Sequence, residues 1–87
     1  MSESVWRRND QWVGAQIEDA YVMLDIEAGE YVSFNASATD IWAALEQPRT
    51  SAQIVAELCK RYTVAPETCT MAVNRVLTEL AAKGLIK

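Results

Sequence analysis

The chain has 87 residues, 51% of them hydrophobic and 23% charged, with a net charge of −4. That mixture suits one folded domain around one modest core and excludes a disordered chain. No apolar run approaches the ~18 residues of a membrane span. The opening "MSESVWRRND" has no apolar stretch behind its arginines, so no signal peptide is expected and the expected setting is the cytoplasm.

Residues 1–11 read as an N-terminal arm and residues 12–87 as the folded domain. "WVGAQI" at 12–17 is a short strand and "EDA" at 18–20 a turn. "YVMLDI" at 21–26 alternates with period two: Val22, Leu24 and Ile26 share one face, Tyr21, Met23 and Asp25 the other. "EAGE" at 27–30 carries Gly29, which takes the positive φ a tight hairpin needs. "YVSFN" returns as the third strand, with Val32 and Phe34 toward the core and Tyr31 and Ser33 away from it.

Three helices follow. Ala38, Ile41, Trp42 and Leu45 fall at i, i+3, i+4 and i+7, one apolar stripe. Asn35 or Ser37 caps that helix, Asp40 is expected in its first turn, and Pro48 is expected to stop it. Thr50 or Ser51 caps the second helix, "SAQIVAELCKRY", with a stripe of Ile54, Val55, Leu58 and Tyr62. Pro66 suits the first turn of the third, which runs from about 66 to 83. Its expected core face is Cys69, Ala72, Val73, Val76, Leu77 and Leu80. Gly84 ends it as a C-terminal cap, and Leu85 and Ile86 fold back onto the core. The expected fold is α+β and winged-helix-like: a three-stranded antiparallel sheet followed by three helices, the last two able to form a helix-turn-helix.

The chain contains no histidine, so no Ser-His or Cys-His pair can form. Cys59 and Cys69 stand in no CxxC pattern. Two sulfurs make a poor zinc site, and both are expected to be small buried apolar residues. Asp19, Asp25, Glu27, Glu30 and Asp40 lie where turns, caps and exposed strand faces put them, and there is no glycine-rich phosphate loop. The expectation is therefore a chain with no catalytic residue, no cofactor and no metal.

The combination also resembles a known family. The matching pieces are "RR" at 7–8, "LDIEAGEYVSFN" at 24–35, "ATDIW" at 38–42, Leu45, Thr50 with Ile54, Val73, Val76, Leu77 and Leu80, and "GLI" at 84–86. Together they resemble the PqqD-like family, also called RiPP recognition elements. The chain departs from the pattern at Glu46-Gln47-Pro48, where an Asp-Gly-like turn is common, and at Phe34, where leucine is common.

The resemblance implies a protein that binds the leader segment of a ribosomally made precursor peptide. Such a protein presents it to a modifying enzyme: a radical-SAM enzyme, a lasso-type protease or another tailoring enzyme. It implies that the leader adds to the open edge of the third strand, at Glu30, Tyr31, Val32, Ser33 and Phe34, and packs against the third helix. The chain has the means for this. "EYVSFN" holds no proline to block pairing, and β-augmentation needs only an open edge and side-chain pockets. On a helical wheel Cys69, Val73, Val76 and Leu80 centre the third helix's apolar arc. Leu77 and Ala81 extend it to one side beside Thr70 and Asn74, and Ala72 to the other. The expected helix contacts are Thr70, Val73, Asn74, Leu77 and Ala81, with Arg75 nearby.

Two other classes compete. A winged-helix DNA-binding protein needs a basic recognition helix, yet between Pro66 and Lys83 the charges Glu67, Glu79, Arg75 and Lys83 cancel and the whole chain is acidic. A small subunit-interaction domain would use the same surfaces with no peptide of its own. An open edge beside an apolar groove also favours a homodimer. Trp6 and Trp12 fit a core cap, a dimer contact or an enzyme contact equally well.

Overall fold

The computed structural model describes residues 5–87; residues 1–4 of the expected arm lie outside them. The elements are β1 (Val5–Trp6), β2 (Trp12–Ile17), β3 (Ala20–Asp25), β4 (Glu30–Phe34), α1 (Ala36–Ala44), β5 (Arg49–Thr50), α2 (Ser51–Cys59) and α3 (Pro66–Ala82).

Strands β2, β3 and β4 form an antiparallel sheet in that order, with β3 central. The register sets three inward rows: Trp12–Asp25–Glu30, Gly14–Met23–Val32 and Gln16–Tyr21–Phe34. Trp12, Met23 and Phe34 are buried there. The inner face of β3 is therefore Tyr21, Met23 and Asp25. The more uniformly apolar set points outward, with Leu24 36% and Ile26 76% exposed. Both sets of β3 are largely apolar, so alternation alone cannot choose between them. The choice follows from the neighbours, because only this register puts Trp12 and Phe34 over the helices.

Asp25 survives burial because it is satisfied. Its carboxylate accepts from Gln11 Nε2 at 3.1 and 3.3 Å and from the Ala28 N–H at 3.1 Å. Its carbonyl accepts from the Gly29 N–H at 2.9 Å. Gly29 supplies the left-handed φ of +70° that closes the turn. The two-residue turn before β3 uses Glu18 at φ +54°, and the strand starts at Ala20, one residue ahead of the expected Tyr21.

β4 passes into α1 with no intervening loop. Of the two candidate caps, Asn35 takes the role, its Oδ1 accepting from the Ala38 N–H at 2.8 Å. Ala38, Ile41, Trp42 and Leu45 all reach the core, and Phe34 meets Trp42 edge-on with ring centres 6.0 Å apart. Asp40 lies beyond the first turn, contrary to expectation; it binds Arg61 at 3.3 Å and accepts a hydrogen bond from Tyr62 Oη. The helix ends at Leu45, ahead of Pro48. Thr50 and Gln53 form a reciprocal capping box for α2, which stops at Cys59 rather than Tyr62.

Pro66 opens α3 as expected. A Schellman motif closes it: Gly84 at φ +79° donates to the Ala81 carbonyl at 3.0 Å, and Leu85 to the Leu80 carbonyl at 2.9 Å. That reversal sends Leu85 and Ile86 into the core at 0% and 3% exposure.

The two short strands were not foreseen. β1 pairs antiparallel with β5, while Arg7 and Lys87 exchange backbone hydrogen bonds at 2.8 and 2.9 Å. The Arg8 guanidinium lies 4.6 Å over the Trp42 ring and donates from Nε to the Trp42 carbonyl at 3.1 Å. Trp6 packs on the core and donates to Ser51 Oγ at 3.1 Å; Trp12 is a core residue outright. Residues 5–9 are thus tied to the chain's end and to α1.

Candidate binding groove

β4 is the last strand of its sheet, and no described strand pairs with its outer edge. An edge strand carries backbone N–H and C=O groups free to bond another chain. Gly29 and Asp25 hold one end of β4, and the Asn35 cap holds the other. The strand is five residues long.

Beside that edge runs a cleft. Its narrow part, about 100 Å³, lies between Val32, Ser33, Phe34 and Ala38 on one side and Val76, Glu79, Leu80 and Lys83 of α3 on the other. It continues past Asn35 into a wider part of about 450 Å³ over the start of α1. There Ile41, Leu58, Cys69 and Val73 supply an apolar floor, and Tyr62, Val64 and Arg75 stand around it. An apolar floor with a few polar groups at the margin is the usual make-up of a ligand cleft.

Two charges beside the groove are paired and exposed. Arg75 and Glu79 meet at 3.4 Å across one helical turn, an interaction worth little in water. At the wide end the Tyr62 hydroxyl donates to Asp40, which holds the phenol above its ordinary pKa; slight burial and the Asp40 charge add to the effect.

The strand residues expected at the site all line this edge. Glu30, Tyr31 and Ser33 are exposed, Val32 is half-buried, and Phe34 turns its ring into the core at 8% exposure. The helix residues divide. Val73 lies in the cleft floor. Leu77, at 1% exposure, is wholly in the core, and half-buried Ala81 packs against that core. Thr70 and Asn74 line a separate recess with Ser51, Ala52, Val55 and Ala56 of α2.

What α3 turns toward β4 is instead Val76, Glu79 and Lys83, with Ala72 and Arg75 further along. The expected core face was too wide: Ala72 is exposed and Val76 half-buried. Its buried seam is Cys69, Val73, Leu77 and Leu80, which leaves Val76 on the groove flank and Leu77 inside. One signal was available: that seam collects the two leucines, the largest aliphatic residues of the arc.

Among the described residues no group of three or more His, Cys, Asp or Glu side chains could hold a metal. No described helix is long and apolar enough to cross a membrane.

The fold and groove define a small α+β domain whose three-stranded sheet leaves one edge open beside a helix. The chain belongs to the PqqD family: the model for coenzyme PQQ synthesis protein D (PqqD) matches residues 20–86. Among solved structures it is similar to TbiB1 in complex with the TbiA(β) leader peptide. That likeness has a TM-score of 0.82 and 31% identity, over 93% of this chain and 94% of that one. It also shares the fold of lasso peptide synthetase B1 complexed with the leader peptide, at a TM-score of 0.82 and 24% identity, over 94% and 96% of the two chains. No curated protein matches.

Proposed function

We propose that this protein binds the leader segment of a ribosomally synthesised precursor peptide and presents it to a modifying enzyme. The leader lies along β4 as a fourth strand and packs against the Val76, Glu79 and Lys83 side of α3. The observation that carries this is the open β4 edge running beside an apolar cleft. A family relative at 31% identity was solved with a leader peptide bound. Backbone pairing supplies affinity independent of sequence, and the wider cleft over Ile41, Leu58 and Val73 selects an apolar leader side chain. The role is adaptor rather than catalyst, with no cofactor. When no leader is bound, the same edge gives a second copy a place to pair.

Proline substitution tests the pairing. Neighbouring residues of a strand turn their N–H groups to opposite edges, so either Val32 or Ser33 donates outward and the other donates to β3. Proline removes that donor. We expect one of Val32→Pro and Ser33→Pro to unfold the hairpin. The other keeps the fold, by circular dichroism, while losing roughly tenfold or more in affinity for its leader peptide, the loss of one to two backbone hydrogen bonds. A folded proline variant that binds as the parent does would overturn strand addition at this edge.

A further inference from the structure

The leader cleft lies at one edge of the sheet and leaves its outer face unused. The register places Val13, Leu24 and Tyr31 in one outward row and Ala15, Val22 and Ser33 in the next, with Ile17 and Ala20 beyond. Ser33 and the Tyr31 hydroxyl are the only polar groups among these side chains. A sheet with one face in water normally turns polar residues outward. Here Val13, Ile17, Leu24 and Tyr31 are exposed, as is Ile26 in the turn after β3. A contiguous apolar patch of this kind marks a contact surface.

The margins of the patch carry one sign of charge. Glu18 and Asp19 stand exposed in the turn between β2 and β3, Glu27 and Glu30 at the turn between β3 and β4. Among the described residues none of these four is in an ion pair. The sequence holds no lysine or arginine between Arg8 and Arg49.

We propose that the outer face of the sheet is a second interface, taken by the modifying enzyme through an apolar surface bordered by lysine and arginine. The identity of that occupant rests on the adaptor reading; its chemistry rests on the face. Carboxylates at both ends work against a second copy docked face to face, because each end would meet like charge. They also repel an anionic lipid surface or a nucleic acid and attract a cationic protein margin. Area decides how the contact behaves. With strands about 20 Å long and about 4.8 Å apart, the face covers roughly 300 Å². A stable complex buries roughly 800 Å² on each partner, so the empty chain makes a transient contact. A leader paired with β4 adds a fourth strand, and its alternate side chains join the outward rows beside Tyr31 and Ser33. The enzyme then meets a face about a third larger, part of it substrate. The loaded domain is therefore bound in preference to the empty one.

The test uses the full chain and the purified modifying enzyme encoded beside it, with and without the neighbouring leader peptide, by titration calorimetry. Val13→Thr combined with Leu24→Thr keeps residues that suit an exposed strand. We expect it to weaken enzyme binding about tenfold or more, with Tm and leader affinity as in the parent. Glu18→Lys with Glu27→Lys should weaken binding at low salt, and the parent's own affinity should fall as salt rises. Saturating leader should tighten the parent's binding severalfold. Variants that bind the enzyme as the parent does would overturn the proposal, as would an enzyme that does not bind the parent at all. A dimeric parent that Val13→Thr with Leu24→Thr turns monomeric would overturn it too, giving the face to a second copy. Equal binding of loaded and empty chain, with the variants still defective, upholds the face and tells against strand addition at β4, so the two readings fail separately.

Discussion

At the residue scale, Asp25 shows how much of the hairpin rests on one side chain. It is a buried charged residue at 5% exposure, and its carboxylate serves both Gln11 and the turn amide of Ala28. Asp25→Ala leaves those donors without partners. It should lower stability by about 2 kcal/mol in urea denaturation, with Asp25→Asn costing less because one acceptor oxygen remains. Ile54, at 0% exposure in the middle of the core, should cost about 2–5 kcal/mol on truncation to alanine. Tyr62 carries a pH signature. Its pKa is raised in the folded chain above the ordinary 10.0, first by the hydrogen bond to Asp40. The proton is held more tightly in the folded state, so the link stabilises fully below the unfolded value and its contribution is lost as the pH rises through the folded one. Tyr62→Phe should flatten that alkaline loss, seen as Tm profiles of the two proteins converging above pH 10. The composition and the short motifs made Asp25 visible as part of "LDIEAGEY". Its inward direction was not visible, because that depends on which face β2 and β4 impose.

At the scale of elements, the caps were legible because they are local. Thr50 with Gln53, Pro66 and Gly84 all stand where their chemistry places them. Thr50→Ala should cost about 1 kcal/mol. Gly84→Ala forces a side chain into the left-handed region and should cost about 1–2 kcal/mol. Since the Gly84 turn also aims Leu85 and Ile86 inward, hydrogen exchange in that variant should accelerate at the Arg7–Lys87 pairing before the sheet. What was not legible is rotation. The apolar arc of α3 is wide, and a wide arc has no unique centre until its partners are known. Leu77 went inward and Val76 outward to the groove because α1, α2 and Leu85 meet α3 along the seam of Cys69, Val73, Leu77 and Leu80. The pairing of β1 with β5 was equally hidden, since two-residue strands carry no period.

At the scale of the whole molecule, the architecture follows from one economy: the three strands of the sheet and the three helices all touch a single core, and that leaves a sheet edge and a helix flank unoccupied next to each other. The order of β2, β3, β4 and the three helices, the hairpin and the strand-to-helix junction were readable from pattern and punctuation. The groove was not, because it is made by residues 32–38 and 76–83, far apart in the chain and joined only by packing. The outer face of the sheet is also unusually apolar. Val13, Leu24 and Tyr31 form one cross-strand row at 48%, 36% and 73% exposure, which is why alternation in β3 could not choose the core face.

The central claim is that an extended leader segment pairs with β4 and rests on the Val76 side of α3. Backbone amide shifts during titration of labelled protein with leader peptides from neighbouring precursor genes test it most directly. Perturbations should concentrate at residues 30–35 and at Ala72, Val76, Glu79 and Lys83, with Thr70 and Asn74 largely unmoved. Shifts centred on Thr70 and Asn74, or on the outer row of Val13, Leu24 and Ile17 without β4, would contradict it.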